Sequence, residues 1–164
     1  MKAPNLDNSL PRHPLENKIP PPLVVVVLGA AMGGIAWFTS SFEIGVGLRF
    51  VAGGLVIALG AGIVILGATT FWRARTTIDP VNLDSASSLV TGGVFGYTRN
   101  PMYVGFAAML IGWAVCLSSP WALLGPVVFV LFTTRFQIIP EERVMNSKFG
   151  QEYAEYWATV RRWL

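Results

Sequence analysis

The sequence predicts an all-α, polytopic membrane protein with four membrane-spanning helices and a C-terminal amphipathic helix on the cytoplasmic side. Three observations predict it. Of 164 residues, 53% are hydrophobic and only 13% are charged, roughly half the charged share of an ordinary soluble domain. Mean hydropathy is +0.55, more apolar surface than so short a chain could hide from water. The apolar residues also fall in four runs, 23–39, 48–72, 102–117 and 121–139, against the roughly 17–25 residues that span a bilayer.

Residues 1–22 form a polar arm with prolines at 11, 14, 20, 21 and 22, a loop or surface-lying segment rather than a folded unit. It does not read as a secretory signal: the charged region is long and no A-x-A-like site follows. Residues 23–164 then make one membrane domain, with spans at about 23–39, 48–72, 101–118 and 121–139. The second run carries Gly53, Gly60 and Gly67, seven residues apart and so near one helical stripe, where small residues let helices approach closely in lipid. A ligand groove is the other use of such a stripe.

The third run reaches spanning length when Pro101 occupies its first turn and Ser118 extends it. Ser118, Ser119 and Pro120 leave room only for a tight turn, so runs three and four form an antiparallel hairpin. Residues 141–164 are too charged to span. Val144, Phe149, Tyr153, Tyr156, Trp157, Val160 and Trp163 recur mostly at helical spacing among Lys148, Glu152, Glu155, Arg161 and Arg162, which predicts an amphipathic helix, breakable at Gly150, as an interface anchor or a lid over the bundle.

Charge sets the orientation. Four spans place Lys2, Arg12, Lys18, Arg73, Arg75, Arg99, Arg143, Lys148, Arg161 and Arg162 on one side, Arg135 in the last turn beside them, and Arg49 at most on the other. Both termini and the 73–100 loop are therefore expected in the cytoplasm, and the shortness of the chain points to a bacterial inner membrane. The basic residues are dispersed beside apolar runs, which excludes nucleic-acid binding. One histidine, His13, and one cysteine, Cys116, make no zinc or haem set, so no metal is expected.

The polar residues gather in two places. In 89–105, reading LVTGGVFGYTRNPMYVG, Gly92, Gly93 and Gly96 permit positive φ and close ligand approach. Asn100 is a good N-cap, and Pro101 fits the first helical position. The helix start attracts a carboxylate or phosphate, Arg99 adds charge, and Tyr103 offers a hydroxyl or ring face. A well-capped helix alone explains this equally. Glu141 and Glu142 follow Pro140, where acidic residues complement a helix dipole or accept from ribose hydroxyls or an ammonium group. An anion-binding half and an acceptor half on one membrane face suit a zwitterionic, nucleotide-like ligand.

These residues carry a resemblance. The stretch 89–105, then Glu141-Glu142, then Phe149-Gly150-Gln151-Glu152-Tyr153 and Tyr156, resembles the isoprenylcysteine carboxyl methyltransferase family and its phospholipid N-methyltransferase relatives over about residues 70–162. That family's pattern is roughly LVTxGxYxxxRHPxYxG followed by EExxLxxxFGxxYxxY. The resemblance implies an integral membrane methyltransferase that uses S-adenosylmethionine, yields S-adenosylhomocysteine, caps the cofactor with its C-terminal helix and admits a lipophilic small-molecule or lipid acceptor sideways from the bilayer. By position it implies cofactor contacts at Leu89, Val90, Phe95, Asn100, Pro101, Tyr103 and Glu141, to which Arg99 is added for its charge, and acceptor contacts at Arg135 and Gln137. Arg135 and Glu142 are the catalytic candidates, although the dipole-satisfying reading makes Glu142 a surface residue. Asn100 stands where the eukaryotic pattern has His, Phe95 where it has Tyr, and Gln137 where it has Arg. An amide cannot titrate, so Asn100 is expected to contact the cofactor and not to act as a base. The competing readings are a lipid N-methyltransferase and a non-catalytic scaffold of the same fold. Sterol reductases share part of the architecture and use NADPH, but they have further spans.

Overall fold

The computed structural model describes residues 13–39, 42–73 and 88–164. The expectations for Lys2, Pro11, Arg12, Arg75 and residues 74–87 lie outside them. Five α-helices are described: α1 (Pro21–Phe38), α2 (Val46–Arg73), α3 (Pro101–Leu117), α4 (Leu124–Thr133) and α5 (Ile139–Thr159). Short 3-10 turns occupy Gly93–Gly96 and Pro120–Leu123, and a π segment, Thr134–Ile138, joins α4 to α5. Among the described residues no strand forms, only an isolated parallel bridge between Thr98 and Arg161.

Three helical stretches are long and apolar enough to cross a membrane: Pro21–Phe38, Val46–Arg73 and the rod Pro120–Thr159, which is kinked at Gly150. The expected fourth, α3, has 17 residues, about 26 Å at 1.5 Å per residue, a little short of a hydrocarbon core about 30 Å thick. It ends at Leu117, one residue before the expected end, because Ser118 turns left-handed, at φ 53. Its own ends are held by polar contacts described below.

The glycine stripe of α2 packs within the molecule, against α3. The two helices run antiparallel, Gly60 against Gly105 and Gly53 against Gly112. A Cβ built on Gly60 would lie 2.6 Å from the Gly105 carbonyl oxygen, and one on Gly105 would lie 2.5 Å from that of Gly60. Backbone therefore meets backbone, the close approach that lets van der Waals packing hold helices together in lipid. Gly54 and Gly62, off the stripe, have nothing within 4 Å of such a Cβ.

Met32, Leu110, Ala114, Ala122 and Phe129 form the core between α1, α3 and α4. Met32 seats its thioether directly on Gly125. The outward faces are apolar: Leu55, Leu59 and Ile65 of α2 are all more than 60% exposed, contiguous surface that water would penalise and lipid would not. At one end the two turns join, with Phe42 N–H donating to the Ser118 carbonyl at 2.7 Å and the Ser118 hydroxyl donating to the Phe42 carbonyl at 2.9 Å. The charged segments meet at the opposite end.

There the rod departs from expectation. The fourth run and the C-terminal helix read as separate elements divided at Pro140, yet helix continues through Pro140. Proline has no N–H and leaves the carbonyl four residues back without its helical donor, here Phe136. That carbonyl instead accepts the Asn17 N–H at 3.0 Å. The N-terminal arm is thus a docked strap over residues 13–20, filling the gap that Pro140 opens. The true break lies at Gly150, with φ 50 and ψ −115, a conformation that favours glycine.

Candidate functional site

The Gly93–Gly96 turn opens on Gly93 at φ 62 and turns Phe95 inward, where its ring meets Phe71 edge-on at 5.0 Å. Leu89 and Val90, half-buried, lead into it. The kink at Gly150 swings the end of α5 across this turn. Tyr153 and Tyr156 become buried, and the Tyr156 hydroxyl donates to the Phe95 carbonyl at 2.8 Å. The helix expected as an anchor or a lid therefore closes over the 89–105 loop.

The C-terminal tail stitches the same loop. Arg99 N–H donates to the Arg161 carbonyl at 2.8 Å. The Thr98 hydroxyl and the Asn100 amide Nδ2 both donate to the Arg162 carbonyl, at 3.2 and 2.9 Å. Asn100 sits at the N-cap position of α3, but its side chain makes no capping bond. This corrects the capping expectation: the tail carbonyl recruits the side chain instead.

Glu142 is the anchor of this closure. It is 3% exposed, which corrects its reading as a surface residue. Its Oε1 accepts from Arg99 NH2 at 2.9 Å and Arg162 Nε at 3.0 Å, and its Oε2 from Arg162 NH2 at 2.7 Å. A buried carboxylate needs such partners. The hydrogen bonds it donates to Glu142, opposed by burial, hold the Arg162 guanidinium above its ordinary pKa. Arg99 spends further donors on the Trp157 and Val160 carbonyls, so most of its expected charge toward a ligand is committed to the protein. Arg99 Nε and the neighbouring Trp157 Nε1 are buried and have no hydrogen-bond partner, and the guanidinium stands 5.2 Å from the Trp157 ring.

Next to this ion network, Tyr103 on the first turn of α3 donates its hydroxyl to Glu141 Oε1 at 2.6 Å. The two expected halves of the site thus meet directly. Pro101, buried at the first position of α3, fixes where Tyr103 starts. Arg135 and Gln137 lie on the π segment. The Gln137 side chain is fully buried and its Nε2 donates to the Ile19 carbonyl at 2.7 Å. Arg135 is half open to solvent and pairs with Glu16 at 3.0 Å. Both expected acceptor residues therefore face the N-terminal strap. Thr98, Arg162 and Glu16 were not foreseen, and their signal was only polar residues in segments that read as solvated. Tyr156 and Trp157 read as apolar positions of the C-terminal helix, Tyr156 also as part of the family motif, with no site role given to either.

A family model described as phospholipid methyltransferase matches residues 48–152. Protein-S-isoprenylcysteine O-methyltransferase A of Arabidopsis thaliana is 34% identical over 127 residues, 76% of this chain and 58% of that protein. Protein-S-isoprenylcysteine O-methyltransferase of Saccharomyces cerevisiae is 29% identical over 119 residues, 71% of this chain and 48% of that protein. An uncharacterized protein of Haemophilus influenzae is 43% identical over its whole 63-residue matched length, 38% of this chain. The chain spans about half the length of the isoprenylcysteine methyltransferases it matches. No solved structure matches it.

Proposed function

Because the chain belongs to the phospholipid methyltransferase family, we propose that it is an integral membrane methyltransferase that takes a methyl group from S-adenosylmethionine and gives it to a lipophilic acceptor. The observation that carries this reading is the 2.6 Å contact between Tyr103 and Glu141, which joins the two stretches that the family match spans. The residues fit such a donor. The unpartnered buried donors Arg99 Nε and Trp157 Nε1 suit a carboxylate end, Glu141 suits hydroxyl or ammonium groups, and Gly92, with nothing within 4 Å of where a Cβ would stand, leaves backbone open to close approach. Leu89, Val90, Phe95, Asn100 and Pro101 would form the wall that the end of α5 covers.

S-adenosylmethionine supplies an electrophilic methyl group on a sulfonium. When bound, it would give that methyl to an acceptor lone pair while the carbon–sulfur bonding pair stayed on sulfur, leaving S-adenosylhomocysteine. The chain's part is to hold the partners in line and exclude water. Burial of Tyr153 and Tyr156 over the loop serves that exclusion. A carboxylate acceptor needs no base. An amine would have to lose a proton, and Glu142, with both oxygens held by guanidinium groups, is a positioning residue and not a base. A carboxylate acceptor makes no such demand, and it is the acceptor class this reading takes. The acceptor would approach from the bilayer toward Arg135 and Gln137.

The reading includes four crossings, α3 being shielded behind α2, with both termini and the site on the cytoplasmic face of a bacterial inner membrane. The concentration of arginines at that end supports the orientation.

The test is calorimetry and thermal shift of the detergent-purified protein with S-adenosylmethionine against NADPH, followed by radiolabel transfer from S-adenosylmethionine into lipid extract or small prenylated thiols bearing a carboxylate. Binding of S-adenosylmethionine alone and transfer to the carboxylate are expected. Transfer to an amine lipid would replace the acceptor assignment. Binding of neither nucleotide would leave the scaffold reading.

A further inference from the structure

The strap that covers the rod at Pro140 has a second feature. Glu16, its carboxylate 9% exposed, bridges two arginines of the rod: Oε1 to Arg135 NH1 at 3.0 Å and Oε2 to Arg143 NH1 at 3.4 Å. The two arginines are eight residues apart. In an unbroken α-helix eight residues turn two full turns plus about 80°, which would point them apart. The π segment between them takes up one extra residue. Eight residues then turn as seven would, leaving the pair about 20° from alignment. The helix irregularity thus builds a two-cation cradle about two turns long. Glu141, between Gln137 and Arg143 in sequence, lies on the same stretch.

The strap fits this cradle imperfectly. Glu16 takes one N–H group from each arginine. Arg135 remains 47% exposed. Asn17 is held at φ 56, the left-handed region. Its Oδ1, and the Oε1 of Gln137 beneath Ile19, are buried without hydrogen-bond partners. Undocking would return both acceptors to a donor, while exposing the Phe136 carbonyl and the two guanidinium groups. The docked strap is thus a state that another anion can replace.

We propose that Arg135 and Arg143 form an anion site for the head of a membrane-borne acceptor, a carboxylate or a phosphate on an apolar tail, and that Glu16 occupies it as an internal stand-in until the acceptor displaces the strap. This rests on the methyl-transfer reading for calling the ligand the acceptor. The apolar tail would lie along the lipid-facing surface of the rod, where Leu131 is 65% exposed, one turn from Arg135.

Amide exchange at Asn17 reads strap release in the full chain held in phosphatidylcholine nanodiscs, with laurate, lauryl phosphate and dodecanol as probes. Laurate, lauryl phosphate or both should speed exchange at Asn17, and dodecanol should not. Response to laurate alone assigns a carboxylate head, and to lauryl phosphate alone a phosphate head. Glu16→Gln removes the competing charge and should tighten the effective anionic probe about tenfold. Arg143→Gln should abolish the discrimination between charged and neutral probes. Unchanged exchange with every probe, or a folded Glu16→Gln protein that binds the anion no tighter, overturns the proposal and makes the strap purely structural. S-adenosylmethionine calorimetry on the same samples separates the two readings: cofactor binding without strap release defeats only this one.

Discussion

Arg162 grips Glu142 with two near-parallel bonds, Nε to Oε1 at 3.0 Å and NH2 to Oε2 at 2.7 Å, across twenty residues of sequence. The bend at Gly150 makes this possible, and Arg99 completes the network from the other side. Removing the carboxylate leaves two guanidinium groups facing each other at a buried site. Glu142→Gln should therefore lose about 3–5 kcal/mol of stability, the usual cost of breaking a buried pair by deleting one partner. Arg162→Ala should cost less, because that side chain is 32% exposed and water can take its place. Thermal unfolding in detergent measures both. If Glu142→Gln unfolds like wild type but loses methyl transfer, Glu142 acts on the reaction and not on the closure.

The Tyr103–Glu141 contact makes a different prediction. Tyr103→Phe keeps the ring in its buried place and deletes the donor to Oε1. A carboxylate that loses a buried hydrogen bond is destabilised by about 1–3 kcal/mol. If Glu141 is the cofactor contact, S-adenosylmethionine affinity should fall about tenfold, the equivalent of about 1.4 kcal/mol, and Glu141→Ala should remove binding altogether. Calorimetry decides it. Intact binding in Glu141→Ala would remove Glu141 from the cofactor contacts.

The α2–α3 seam predicts a steric pattern. A methyl group on Gly60 would meet the Gly105 carbonyl at 2.6 Å, whereas one on Gly62 meets nothing within 4 Å. Backbone cannot yield as a side chain can. Gly60→Ala should therefore cost about 1–3 kcal/mol, the range for overpacking a filled core, while Gly62→Ala should leave the midpoint of thermal unfolding unchanged or raised. Equal effects at the two positions would show that the helices slide apart freely.

The helical runs were legible because lipid demands continuous apolar stretches, and the Gly53, Gly60, Gly67 stripe was legible because its seven-residue spacing has one geometric consequence. Tyr103 and Glu141 were legible through their motif spacing. The rest depended on chain reversals that periodicity does not encode. Arg162 looked like a solvated charge until the kink at Gly150 brought it back to Glu142. Asn100 looked like a cap until the Arg162 carbonyl arrived to take its amide. Pro140 looked like a boundary. The helix crosses it because Asn17, more than a hundred residues away in sequence, supplies the donor that Phe136 loses. The π segment left no mark in the apolar pattern, since one extra residue in a helical turn changes backbone pairing and not composition.

Strap docking should depend on pH with a definite sign. Burial tends to raise the Glu16 carboxyl, but the hydrogen bond from Arg135, the backbone bond at His13, and the charges of Arg143 and Arg135 outweigh it and hold the pKa below its ordinary 4.5. A group depressed in the docked state favours that state fully above its free pKa and loses the preference as pH falls through the lower, docked value. The strap should thus be fully docked near neutrality and should release as the pH drops below about 4.5. Asn17 exchange, corrected for the intrinsic pH dependence of amide exchange, should quicken there in the wild type. Glu16→Gln should show no such step, since it has no carboxylate to protonate. A step of equal size in both proteins would place the titrating group elsewhere, and not at Glu141, whose carboxyl burial pushes up to about 7.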